Sequence, residues 1–107
     1  MNVSKLNPIL QKLKQSLIAL YQDNLEAIIL YGSQARGDAT EFSDIDILVI
    51  LKFQINPYQE IDKTSQIIYE LCRDYDVLIS RHFISSEKFE STNTPFLSNV
   101  KREGIHL

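Results

Sequence analysis

The chain has 107 residues, 44% of them hydrophobic and 23% charged, proportions that suit one soluble globular domain with a modest core. Fourteen acidic residues against eleven basic ones leave a net charge of -3, which excludes the basic footprint that long nucleic acid requires. A single cysteine, Cys72, excludes an intramolecular disulfide and a cysteine-based zinc site.

No signal peptide is visible, and the longest apolar run, Ile45 to Leu51, is interrupted by Asp46 and too short to span a bilayer. The expectation is a cytoplasmic protein without membrane contact. Asn7-Pro8 signals a helix start, because Asn caps free N–H groups and Pro has none to satisfy. Ile9, Leu10, Leu13, Leu17, Leu20 and Tyr21 then recur at helical spacing, which predicts a helix from Pro8 to about Gln22. Asp23-Asn24 ends it, and the short apolar run Leu25 to Tyr31 reads as a buried strand.

Gly32-Ser33 closes that strand, with a short helix through Ala35 to Gly37 and a polar loop from Asp38 to Ser43. Ile45 to Leu51 reads as a central strand, apolar on both faces except at Asp46. Asn56-Pro57 opens a further helix to about Arg73, with Ile61, Ile67, Ile68, Leu71 and Cys72 as core candidates. A third strand is expected from Tyr75 to about Arg81. Thr94-Pro95 opens a last helix carrying Phe96, Leu97 and Val100, and Gly104 stands where a left-handed stop belongs. This order predicts an α/β (α+β) fold, one domain over residues 1–107, with a small mixed sheet of three or more strands and about four helices.

Chemistry concentrates at Gly32-Ser33-Gln34-Ala35-Arg36-Gly37 and at Asp44-Ile45-Asp46, with ten residues between Ser33 and Asp44. Backbone N–H groups at a turn into a helix attract phosphate, glycine permits close approach, and the Ser33 hydroxyl adds a hydrogen bond. A Gly-Ser pair alone is also an ordinary strand-ending turn. Residues two apart on a strand share a face, so Asp44 and Asp46 stand about 6.6 Å apart by backbone rise. At an effective dielectric of about 20 their charges repel by about 2.5 kcal/mol. Either a cation lies between them, which hard carboxylate oxygens and substrate phosphates make suitable for Mg²⁺, or Asp44 caps the loop and Asp46 pairs with Arg36 or Arg81. Asp76, ahead of Val77-Leu78-Ile79, can face Asp46 from the third strand as a third carboxylate and proton acceptor; Asp74 is the alternative.

The Gly-Ser turn, the spacing, the alternating acids in Ser43-Asp44-Ile45-Asp46-Ile47-Leu48-Val49 and a later single Asp together resemble the DNA polymerase beta nucleotidyltransferase superfamily. Within it the chain is most similar to the minimal nucleotidyltransferases, along its whole length to Asn99-Val100-Lys101-Arg102-Glu103-Gly104-Ile105. That resemblance implies that Gly32 and Ser33 hold a triphosphate, that Asp44, Asp46 and Asp76 bind two Mg²⁺ ions, and that Asp76 activates the acceptor. Arg36 would support the phosphates or the loop, or pair with Asp38. The resemblance also implies ATP as substrate and, because no acceptor-holding domain follows, a second protein as acceptor. Minimal nucleotidyltransferases of this kind pair with a HEPN-domain RNase toxin and act as antitoxins by moving AMP onto a toxin tyrosine, in a possible hetero-oligomer. The other reading is an antitoxin that neutralises by contact alone. His82 and His106 lack ligand spacing and read as surface or capping residues, and the ten Tyr and Phe residues read mostly as core.

Overall fold

A computed structural model of the chain describes residues 3–40 and 43–107; Glu41 and Phe42, within the expected loop, lie outside the described residues. Helix α1 (Val3–Tyr21) buries Leu6, Ile9, Leu10, Leu13, Leu17 and Tyr21 along one stripe, at the three-and-four spacing that aligns side chains on a helix face. It starts before the Asn7-Pro8 signal and carries Pro8 inside it. Proline there forgoes one backbone hydrogen bond, and Leu6, buried one turn ahead of Ile9 and Leu10, extends the apolar stripe and offsets the loss. Leu20, expected inward, lies beside that stripe and is exposed.

A short 3-10 turn, Gln22–Asn24, leads into β1 (Leu25–Tyr31), which pairs antiparallel with β2 (Ile45–Leu51). Strand β2 pairs parallel with β3 (Ile79–Ser85). A parallel neighbour needs a long crossover, and α3 (Pro57–Tyr75) supplies it. The two-residue β4 (Ile105–His106) flanks β1, giving the order β3-β2-β1-β4. From β2, Ile45, Ile47, Val49 and Leu51 join the core built with α1 and α3. Leu48 and Ile50, with Ile29 of β1, pack on the other face against Leu97 and Val100 of α5 (Pro95–Glu103). The mixed sheet with helices on both faces agrees with the expected fold class, with four strands and five helices among the described residues.

Two local expectations are corrected, and one helix that no expectation covered is present. The third strand begins at Ile79 rather than Tyr75, because Ile68, Leu71, Cys72 and Tyr75 continue one helical stripe on the core and carry α3 through Tyr75. Gly104 is extended, at φ -67°, and its bare backbone matters for space instead: a Cβ there would meet the Ile29 side chain and the Val100 carbonyl. A short helix, α4 (Ser86–Ser91), follows β3 directly, its first turn capped by the Ser85 hydroxyl accepting from the Lys88 N–H at 3.2 Å.

The buried line of α3 is polar in its first half. Glu60 and Thr64 are buried there, whereas Ile61 is exposed. The Tyr21 hydroxyl donates to Glu60 Oε1 at 2.8 Å, and Lys63 lies 3.5 Å from the same oxygen. The Thr64 hydroxyl donates to the Glu60 carbonyl at 2.9 Å and accepts from Arg81 Nε at 2.7 Å. Burial and the neighbouring Glu60 hold the Tyr21 phenol above its ordinary value, so it stays a donor at neutral pH. Replacing Tyr21 with Phe removes that donor from a buried carboxylate and is expected to cost about 1–3 kcal/mol. Urea unfolding of Tyr21→Phe should show the loss, and the double variant Tyr21→Phe with Glu60→Leu should recover part of it.

Candidate active site

Strand β1 ends at Tyr31, and the chain turns through Gly32 at φ 75° into the single-turn helix α2 (Ser33–Arg36). The Gly32 carbonyl accepts from the N–H groups of Ala35 and Arg36 at 3.1 and 3.0 Å, and the first N–H groups of such a turn have no partner within it. Asp46, second residue of β2, stands directly opposite Tyr31 in the antiparallel register. Its carboxylate occupies the space that a Cβ at Gly32 would need. Glycine therefore serves two purposes here, a positive φ and room for the acid. Asp44 lies one strand repeat earlier and is exposed. The buried Gln34 side chain donates to the Ser43 carbonyl, a long contact of 3.5 Å that ties α2 to the approach of Asp44.

Burial first, and the Asp44 charge second, hold the Asp46 carboxyl above its ordinary value; His82 and Arg36 oppose this in part. Arg36 is engaged with Asp38 at 3.2 Å and Glu103 at 3.3 Å. Arg81 alternates onto the α1–α3 side of β3, where it bonds Thr64 and the Ile61 carbonyl. Neither arginine forms an ion pair with Asp46, and among the described residues neither Asp44 nor Asp46 has one. Two mutually repelling carboxylates, one partly buried and neither neutralised, fit a divalent cation that takes one or two carboxylates plus phosphate oxygens.

Asp76 does not join them. It caps α3 in the left-handed conformation at φ 53° and is exposed, its N–H bonded to the Cys72 carbonyl; Asp tolerates that conformation better than most residues. Asp74, the alternative, lies within the last turn of α3, ion-paired with Arg73 at 2.9 Å. Among the described residues no three Asp, Glu, His or Cys side chains converge as an ion site would require. In the observed register Asp46 faces Ser80, with His82 one repeat further on the same side of the sheet. The Tyr31 hydroxyl lies 2.8 Å from His82 Nδ1, and burial, followed by the Asp46 charge, pushes the Tyr31 phenol up to about 12. Composition and spacing missed Tyr31, Gln34 and His82 as neighbours of the acids. Sequence reading placed His82 at the surface or in a cap; alternation along a correctly placed β3 is the signal that would have set it on the Asp46 side of the sheet.

Gly32→Ala is expected to displace the Asp46 carboxylate and to strain the backbone, costing about 1 kcal/mol or more; thermal unfolding checks this. Asp46 carries the opposite expectation. A carboxyl whose folded value is raised favours its protonated form, so its stabilising contribution is full below its ordinary value of 3.8 and is lost as pH rises through the raised value. Asp46→Asn mimics the protonated form and should raise the melting temperature at pH 7 in metal-free buffer. That difference should vanish in acid scans below the carboxylate range.

The family model described as "Polymerase beta, Nucleotidyltransferase" matches residues 11–107. A Methanocaldococcus jannaschii protein named for protein adenylyltransferase activity is 30% identical over 99 residues, covering 92% of this chain and 95% of the relative. A second so named, from the same organism, is 37% identical over 90 residues, covering 83% and 84%. Among solved structures, a minimal nucleotidyltransferase superposes with a TM-score of 0.65 at 23% identity, over 100% of this chain and 97% of the other. A toxin-antitoxin structure with AMP-PNP gives 0.60 at 20% identity, over 90% and 70%. On the match of the family model and the relatives that share nearly its full length, this chain belongs to the polymerase beta nucleotidyltransferase family and is a nucleotidyltransferase.

Proposed function

We propose that the chain transfers AMP from ATP, in a Mg²⁺-dependent reaction, to a hydroxyl on a partner protein, and that the partner is a HEPN-domain RNase toxin whose tyrosine is the acceptor. The observation that carries this reading is the Asp46 carboxylate seated against Gly32 at the strand-to-helix turn, with Asp44 one repeat away and, among the described residues, no cationic side chain ion-paired with either acid. The relatives named for protein adenylyltransferase activity, and the fold shared with the antitoxin-containing structure, support the same choice of donor and acceptor.

In this mechanism Asp44 and Asp46 would hold Mg²⁺, which when bound would neutralise charge on the transferring phosphate. Gly32 admits the phosphates to the backbone, and the Ser33 hydroxyl donates a hydrogen bond to one of their oxygens. Arg36 steadies the turn from its exposed side through Asp38 and Glu103. The acceptor hydroxyl oxygen bonds to the α-phosphorus as the bond from that phosphorus to the bridging oxygen of the β-phosphate breaks; pyrophosphate leaves with the electron pair, and the hydroxyl proton passes to water.

Incubating the chain with its partner, ATP and Mg²⁺ should add multiples of the AMP mass to the partner in intact-mass spectra. No adduct with any nucleotide would sink the reading. Asp44→Asn with Asp46→Asn should slow transfer by roughly 10²-fold or more, since metal-borne charge stabilisation is worth several kcal/mol. If that variant still neutralises the partner at an unchanged dose, neutralisation works by contact and catalysis is not its cause.

A further inference from the structure

Strand β3 ends the sheet, and among the described residues no strand pairs with its outer edge. It is seven residues long and keeps an unbroken register with β2, so no bulge twists it away. The Ile45 N–H donates to the Leu78 carbonyl at 2.9 Å, which turns the even-numbered residues of β3 toward β2. By alternation Ile79, Arg81, Phe83 and Ser85 direct their N–H and C=O groups outward. Edges of this length are ordinarily blunted by proline, lysine or a bulge, and β3 has none of them. Its one charged side chain, Arg81, is tied down under α3, donating to the Thr64 hydroxyl at 2.7 Å and to the Ile61 carbonyl at 3.0 Å.

A helix flank continues this edge. The Arg81 contacts show that the flank of α3 carrying Ile61 lies over β3, while Glu60, bonded to Tyr21 of α1, marks the opposite flank. At about 100° per residue Tyr58, Ser65 and Tyr69 fall on the Ile61 flank. Tyr58, Ile61 and Tyr69 keep 81, 39 and 57% of their surface exposed, and Leu78, immediately ahead of β3, keeps 68%. The Arg73 guanidinium lies 5.6 Å from the centre of the Tyr69 ring and holds it against the helix. Single exposed apolar residues are ordinary, whereas a group of them beside an unpaired strand edge marks an interaction surface.

We propose that this surface joins two copies of the chain about a two-fold axis, with β3 pairing antiparallel to β3 of the second copy. The outward-directed backbone groups select this occupant. An axis through His82, perpendicular to the sheet, sets Arg81 opposite Phe83 of the second copy and Ile79 opposite its Ser85, so every outward-directed residue meets another. Centring on Arg81 would oppose two arginines, and centring on Phe83 would leave Ile79 beyond the end of the second strand. The contacts from Arg81 to Ile61 and Thr64 bring that stretch of α3 level with the axis. The two α3 helices then run antiparallel, with Tyr58 level with Tyr69 of the second copy. A strand edge alone buries too little for a stable dimer, which needs about 1,000 Å² or more. The tyrosines, at about 150 Å² or more each, together with Ile61 and Leu78 bring the pair into that range. The assembly does not depend on the transferase reading, and it sets the acid pairs of the two copies at opposite ends of the joined edge.

Sedimentation equilibrium of the full chain is expected to show a reversible dimer. Tyr58→Asp with Tyr69→Asp, both at exposed positions, should weaken it at least about 100-fold and leave the circular dichroism unchanged. Oxidation by glutathione disulfide in a Cys72→Ala background reads the register. Position 82 faces its own mate at the non-hydrogen-bonded spacing, which lies within disulfide reach, so His82→Cys should cross-link. Ser80→Cys, opposite Ile84 of the second copy, should not. A chain that stays monomeric into the millimolar range overturns the proposal and leaves the edge to an extended segment of another protein. A dimer that survives the tyrosine substitutions, or in which Ser80→Cys cross-links as readily as His82→Cys, overturns it as well.

Discussion

Strand β2 is buried on both faces along nearly its whole length, and a carboxylate is admitted to it only because Gly32 leaves bare backbone beside Asp46. The contact constrains everything around it. It requires a residue with no side chain at the end of β1, a positive φ to turn away at once, and a register that sets Tyr31 against Asp46. A slip of one residue would send Asp46 into the core shared with α1 and α3 and turn Ile45 and Ile47 outward. The hydrophobic effect on those isoleucines and the location of the acid therefore enforce the same register.

The electrostatics follow from that seat. Burial and a second carboxylate one repeat away both act against ionisation of Asp46. A buried carboxylate ordinarily needs a paired charge, a hydrogen bond or a metal ion. Here the two candidate arginines are occupied elsewhere, Arg36 on the surface with Asp38 and Glu103, and Arg81 on the far side of the sheet with Thr64. Strand alternation decides the second case, since Arg81 shares its face with Ile79 and Phe83 and not with His82. The acids are left without a cationic side chain, and the packed core supplies the stability that this arrangement gives up.

Legibility in the sequence tracked how local each determinant was. The span of β2 and the turn at Gly32-Ser33 could be read directly, because an apolar run with one acid and a glycine before a serine are signals contained within a few residues. The start of β3 was misread, since Val77-Leu78-Ile79 looks like strand on its own while Tyr75 is still held on the α3 stripe by packing. Asp76 was carried along by that error into a site it does not join. Tyr31 and His82 approach one another across three strands, from β1 over β2 to β3, so only the sheet order and register reveal their pairing. Short elements such as α4 and β4 carry too few residues for any periodicity to register.

The last helix shows which forces build the far side of the site. Arg36 and Glu103 bridge α2 and α5 visibly, but Arg36 is largely solvated, and exposed ion pairs contribute little. Leu97 and Val100 are almost fully buried against Ile29, Leu48 and Ile50, and burial of each such side chain is worth about 1.5–3 kcal/mol. Gly104 then lets the chain pass close to Ile29 so that Ile105 and His106 pair with β1. Apolar packing and one small residue thus hold α5 against the sheet, and the ion pair only trims the gap that remains between α2 and α5. Residues facing that gap, Phe96 and Asn99 among them, are carried on a helix anchored by its opposite side, which leaves their chemistry free to vary without loss of the fold.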